Sequence, residues 1–240
     1  MKIFFSVKKL ALSASVLSAL TIISTPVLAE SVDLTVIGTI IPAACTPALS
    51  SGGIIDYGDI ASSTLSSSNY TALAEMNLDF TITCSAPAKV AMKAINGRVG
   101  TAAGAGAAGT NSDGTAPVNL FAVAGVGVAG LGIDGTAQIG GYGVRITPGN
   151  TTADTLSVDT LSKTEAGATW VTEAATGGSL YSPTTTRLIS WAATGETVPV
   201  AITNLTGILG VQAYLNNTVA LNLDHVITLN GMTTLELIYL

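Results

Sequence analysis

Over much of the chain apolar and polar residues alternate one by one, the period of a strand with one buried face. "NLDFTITC" places Leu78, Phe80, Ile82 and Cys84 on one side with Asp and Thr opposite, and "VDLTVIGTII" does the same with Val32, Leu34, Val36, Gly38 and Ile40. "TTLELIYL" sets Leu235, Leu237 and Tyr239 against Thr234, Glu236 and Ile238. Further strand candidates are "IIDYGDI", "KVAMKAI", "VNLFAVAGVGVAGL", "GYGVRIT", "TRLISWAA", "TVPVAITNL" and "GILGVQAYL". About ten short strands with Gly, Asn, Pro and Ser between them, and no long amphipathic helix, predict an all-β antiparallel sandwich. "ASSTLSSSNYTAL", "GRVGTAAGAGAAGTNSDGTAP" and "EAATGGSLYSP" read as loops. The second, Gly97–Pro117, has no apolar periodicity and is expected to be a flexible insertion whose residues 101–115 can be deleted without loss of folding.

The first residues are of another kind. Lys2, Lys8 and Lys9 flank "LALSASVLSALTII", too short and too Ser-rich for a membrane span, and "TPVLA" places Val27 and Ala29 at small-residue cleavage positions. Residues 1–29 therefore read as a secretory signal peptide, leaving one domain over residues 30–240 and no membrane span in the exported protein. Its removal takes away three of nine basic residues and no acidic one, so six Lys and Arg face fifteen Asp and Glu, a net charge of −9. The six (Lys89, Lys93, Arg98, Arg145, Lys163 and Arg187) are scattered, which argues against nucleic acid as a partner, since phosphate binding needs clustered cations.

Export gives the two cysteines a meaning. In an oxidising compartment Cys45 and Cys84 are expected to form one structural disulfide, because a metal site would need further Cys or His ligands. Enzymatic chemistry finds little support. "GAGAAG", "GVGVAG" and "GLGIDG" all fit G-x-G-x-x-G, but that fingerprint needs a preceding parallel strand and a following helix N-terminus. His225 is the single histidine, with no nucleophile elbow to serve, and reads as a surface or loop residue. Trp170 and Trp191 are isolated and read as core. No catalytic residue, cofactor or metal ligand is assigned, and the protein is expected not to be an enzyme.

"IGTIIPAACTPAL", then "IDYGDI", then the second cysteine ending "NLDFTITC" resemble the first half of bacterial chaperone–usher fimbrial subunits. The end resembles them too, with penultimate Tyr239 after Leu235 and Leu237. "GVQAYLNNTVAL" and "LNGMTTLELIYL" are most similar to fimbrial-like proteins grouped as a domain of unknown function and sometimes named beta-fimbriae subunits. The similar motifs lie in Val32–Cys84 and Thr197–Leu240.

The resemblance implies an immunoglobulin-like sandwich lacking its last strand, with the disulfide pinning the first strand to a later one. A groove then stays open beside the carboxyl-terminal strand, whose Leu235, Leu237 and Tyr239 would pair first with a periplasmic chaperone. The amino-terminal extension of another fimbrial subunit, here Val32, Leu34, Val36, Gly38 and Ile40 as candidate donor residues, would replace it at an outer-membrane usher. Such a protein would pass through the periplasm to the cell surface or a fimbrium as a structural or adhesive subunit. Two features depart from this pattern. A first body strand at Val36–Cys45 would leave only Glu30–Thr35 free, about 20 Å of chain and too short to fill a groove. The 211 residues after the signal also exceed a compact pilin. The alternatives are a complete sandwich, and a stand-alone exported module that binds through its loops.

Overall fold

The computed structural model describes residues 30–240 except 42, 107 and 174–176, so the expected signal peptide lies outside the described residues. The chain divides at Ile40. In the first unit, Glu30–Ile40 forms no strand, and Val32, Leu34, Val36 and Ile40 are 95%, 90%, 88% and 97% exposed. A strand needs a neighbour to satisfy its backbone, and no strand among the described residues pairs with this segment.

The second unit is all-β. In chain order its strands are β1 (Cys45–Leu49), β2 (Thr71–Ala72), β3 (Met76–Ala88), β4 (Val90–Asn96), β5 (Gly114–Thr115), β6 (Gly127–Gly130), β7 (Ile133–Asp134) and β8 (Ala137–Gln138). There follow β9 (Gly140–Ile146), β10 (Thr152–Ala153), β11 (Leu156–Thr164), β12 (Val171–Thr172), β13 (Arg187–Ala193), β14 (Ile202–Leu215) and β15 (Thr233–Tyr239). One sheet runs β1-β3-β14-β9-β6 and the other β15-β4-β13-β11, all neighbours antiparallel, with β10 bridging β11 to β14. The inner faces meet at Phe80 of β3 and Trp191 of β13, whose ring centroids are 6.2 Å apart. This is the antiparallel sandwich that the alternation predicts.

The sequence pattern predicts the longest strand as two. "TVPVAITNL" and "GILGVQAYL" join in β14, where a register shift between Ile202 and Asn204 resets which residues face inward. From Leu205 on, Leu209, Val211, Ala213 and Leu215 are buried on one face. Asp154 holds the irregularity by accepting from the Thr203 and Asn204 N–H groups.

Cys45 and Cys84 are bonded and stand opposite each other in the β1–β3 ladder. The first body strand thus starts at Cys45 and not at Val36. Consequently Glu30–Ile41, twice the residues of Glu30–Thr35, precedes it outside any strand. "IIDYGDI" also forms no strand, and "VNLFAVAGVGVAGL" yields only β6, with turns before it.

The Gly97–Pro117 segment is not a flexible surplus. Ala102, Ala103, Ser112, Asp113 and Ala116 are buried, and Ala102 and Ala116 join a small second core with Leu120, Phe121, Val126, Val128 and Tyr214. The Asp113 carboxylate accepts from the Asn96 side chain at 2.8 Å and from the N–H groups of Gly100, Thr101 and Ala102 at 2.7–2.9 Å. Small residues let this backbone wrap a buried anion, which a search for apolar periodicity does not detect. The three glycine-rich matches fall in this segment and in the β6–β8 strands and turns, with no helix following any of them among the described residues.

Candidate functional site

The two sheets leave one side of the sandwich open. β1 pairs only with β3, and β15 only with β4, so each presents an unpaired outer edge among the described residues. These edges meet at one end, where the Cys45 N–H donates to the Tyr239 hydroxyl at 2.7 Å. Beyond that contact runs a groove of about 740 Å³. Its floor is the inner face of the first sheet: Leu78 of β3, Leu209, Val211, Ala213 and Leu215 of β14, and Tyr142 and Val144 of β9.

Much of each wall is chain outside any strand. On one side, Leu49 at the end of β1 is followed by Ile55–Ile60, which joins no strand; on the other, Leu221–Gly231, also outside any strand, leads into Thr233 and Leu235 of β15. Ile55, Tyr57, Ile60, Ile227, Leu229, Leu235 and Leu237 pack against the core while remaining partly exposed. Half-buried apolar residues beside free backbone are what an added strand would bury and pair.

The polar groups at the groove are few. Tyr57 accepts from the Ala213 N–H at 3.1 Å, and burial raises its phenol above the ordinary range. The Tyr142 hydroxyl meets Thr233 Oγ1 at 2.7 Å, and Tyr181 meets the same oxygen at 2.9 Å. Burial pushes Tyr142 up to about 12, opposed by the Thr233 hydrogen bond, so it stays a neutral hydrogen-bonding group. Asp56 and Asp59 lie on one wall, and on the other His225 Nε2 is 3.0 Å from Asp134 Oδ1. No group of three or more metal-binding side chains occurs among the described residues.

The expected site residues divide between the two units. Leu235, Leu237 and Tyr239 lie on β15, in full register with Ala94, Met92 and Val90 of β4. Leu235 and Leu237 face the core, while Tyr239 is 52% exposed and holds the Cys45 contact. Val32, Leu34, Val36, Gly38 and Ile40 lie in the first unit and are exposed. His225 is exposed, as expected, although its partner is Asp134 and not adjacent Asp224. Trp191 is core, but Trp170 is only half-buried, with the Lys163 ammonium 5.1 Å from its ring centroid. The second wall escaped the sequence reading. Its signal was present in "LNLDHVITL", where Leu221, Leu223, His225, Ile227 and Leu229 alternate.

Residues 34–123 match the family model described as "Protein of unknown function (DUF1120)". Protein GltF of Escherichia coli (strain K12) is 32% identical over 96% of this chain and 94% of that protein. The "Uncharacterized protein YhcF" of the same strain is 29% identical over 88% of this chain and 92% of its own length. No solved structure matches the chain. The chain belongs to the same family as Protein GltF, and its residues 34–123 carry the DUF1120 signature.

Proposed function

We propose that this protein is an exported fimbrial or fimbria-like subunit that assembles by strand complementation, its groove receiving an extended segment from a neighbour. The observation that carries the reading is the unpaired edges of β1 and β15 flanking an apolar groove, in a chain that itself carries an exposed alternating segment. That segment fits the task in length. Glu30–Ile41 reaches about 40 Å when extended, and Val32 to Ile40 covers about 27 Å with every second residue turned the same way. Val32, Leu34, Val36 and Ile40 are each at least 88% exposed, and burying such side chains contributes about 1.5–3 kcal/mol each before the cost of association. Gly38 is the one position in the row that demands no pocket.

The groove must be shielded before assembly, because a free edge beside half-buried Leu235 and Leu237 invites unspecific pairing. A periplasmic chaperone that lends a strand to β15, and an outer-membrane usher that exchanges it, are the partners this reading requires. The receptor-binding or structural share of the work would fall to the surfaces away from the groove.

Surface extracts heated in detergent test the proposal. The wild type should give a ladder of multimers, and Val32→Asp with Leu34→Asp should leave a folded, chaperone-bound subunit without one, because two buried contacts become desolvated charges. A wild-type ladder that survives the double substitution removes the donor role. No wild-type ladder, with a folded monomer secreted unaided, favours a stand-alone binding module.

A further inference from the structure

The second wall of the groove has no strand partner, yet an incoming strand needs it at a fixed distance. Between His225 and Met232 this wall is held to the body by hydrogen bonds at three positions. His225 meets Asp134, the Asn230 N–H donates to the Leu131 carbonyl at 2.9 Å, and the Met232 carbonyl accepts from the Gly97 N–H at 2.8 Å. Arg98 adds a two-point grip on the middle one, its Nε donating to the Asn230 carbonyl at 3.0 Å and its terminal nitrogen to Asn230 Oδ1 at 2.7 Å.

Behind this grip stands a buried polar relay. The Arg98 N–H donates to Asn96 Oδ1, and Asn96 Nδ2 donates to Asp113, both at 2.8 Å. Thr101, whose N–H also binds Asp113, donates its hydroxyl to the Arg98 carbonyl at 2.7 Å. Asn96 and Asp113 are 6% and 4% exposed, so the root of the grip is fixed within the fold. The approach is close as well: a Cβ on Gly97 would stand 2.9 Å from Met232 Cγ. The Gly97–Pro117 segment thus reaches from a buried anion to the groove wall, beside Leu229 and Thr233, which line it.

We infer that Arg98 is a positioning residue for strand acceptance: braced by Asn96 and Asp113, it sets the Leu229–Thr233 wall so that an entering strand meets both edges of the groove. This rests on the strand-acceptor reading above. Arginine suits the role because its rigid fork fixes direction and distance together, which a lysine ammonium does not. The role also gives the Gly/Ala-rich segment a purpose at the groove, although none of its described residues lines the floor.

The test uses the chain from Glu30 to Leu240 carrying Val32→Asp and Leu34→Asp, so that its own extension does not compete, and a labelled synthetic peptide of sequence Glu30–Ile41. Arg98→Ala should weaken peptide binding about tenfold or more, the loss expected when a charged two-point hydrogen bond is removed. Amide exchange at Leu229–Thr233 should accelerate in parallel. Arg98→Lys should fall between, and it serves if the alanine variant fails to fold. Val158→Ala, in buried β11, should lower thermal stability without changing peptide affinity, which separates positioning from general destabilisation. Unchanged affinity in folded Arg98 variants overturns the inference, whether or not exchange accelerates. Failure of the parent chain to bind the peptide overturns the strand-acceptor reading itself and the positioning role with it.

Discussion

The backbone N–H of Cys45 donates to the Tyr239 hydroxyl at 2.7 Å, joining the first strand of one sheet to the last strand of the other. Among the described residues these strands are each paired on one side only. From that contact the sandwich opens instead of closing, because the chain from Ile54 to Ala61 and the chain before β15 run along the rims outside any strand. Cys45 is also the disulfide position, so the same residue ties β1 to β3 and touches β15.

The disulfide should carry a large share of the net stability. Cys45 and Cys84 are 39 residues apart, and closing a loop of that size restricts the unfolded chain by roughly 4 kcal/mol in the chain-entropy account. Cys84→Ser should lower the denaturant midpoint accordingly and reduce the yield of folded protein. Titration of two free thiols in the denatured, unreduced wild type would contradict this.

Asp113 should be as sensitive as a core residue. Asp113→Ala leaves the Asn96 amide and the N–H groups of Gly100, Thr101 and Ala102 without their acceptor. A cost of about 3 kcal/mol or more is expected from equilibrium unfolding. Deleting residues 101–115 should abolish soluble, protease-resistant protein. Unimpaired folding of either variant would show that the packing of this segment is dispensable.

Alkaline pH should destabilise the fold through its tyrosines. Burial raises Tyr142 from 10.0 to about 12 and raises Tyr181 and Tyr214 further. Folded-state values above the unfolded one mean that the stabilisation is complete below pH 10 and is lost as pH climbs toward 12. Over that window the unfolded state has released protons that the folded state still holds, so stability should fall by about 1.4 kcal/mol per pH unit for each such tyrosine. Denaturant titrations across that range check the slope. A flat profile would mean that these phenols ionise freely in the folded protein.

Placing a charge in the terminal row tests the fold of β15. Leu237 stands opposite Met92 of β4 and packs against the core. Leu237→Asp should remove soluble protein, since the carboxylate is either buried unpaired or expels the strand. Neighbouring Glu236 faces Lys93 at 3.3 Å near the surface, and Glu236→Gln should cost less than about 1 kcal/mol. Equal accumulation of the two variants would show that β15 is not part of the packed body.

The readable parts of the fold were those in which local pattern and tertiary environment agree. Leu78, Phe80, Ile82 and Cys84 alternate in sequence and lie buried on one face of β3, and Leu235 and Leu237 alternate likewise and pack half-buried against the core from β15. Where the environment comes from distant residues, pattern was silent or misleading. Val32–Ile40 carries an alternating row in sequence but forms no strand, because no strand among the described residues pairs with it. Asp113 sits in a polar, Gly-rich run and is buried by backbone N–H groups ten or more residues away. The groove floor combines β3, β9 and β14, far apart in sequence, so only its rim at β15 was legible.

Amide exchange on β15 with and without added Glu30–Ile41 peptide tests strand acceptance most directly. In the Val32→Asp, Leu34→Asp chain, saturating peptide should slow exchange within Thr233–Tyr239 and Ile54–Ile60, the two rims, while leaving β11 and β13 unchanged. Absence of binding, or binding that leaves the Thr233–Tyr239 amides exchanging at their free rate, would contradict the claim that the groove receives a strand.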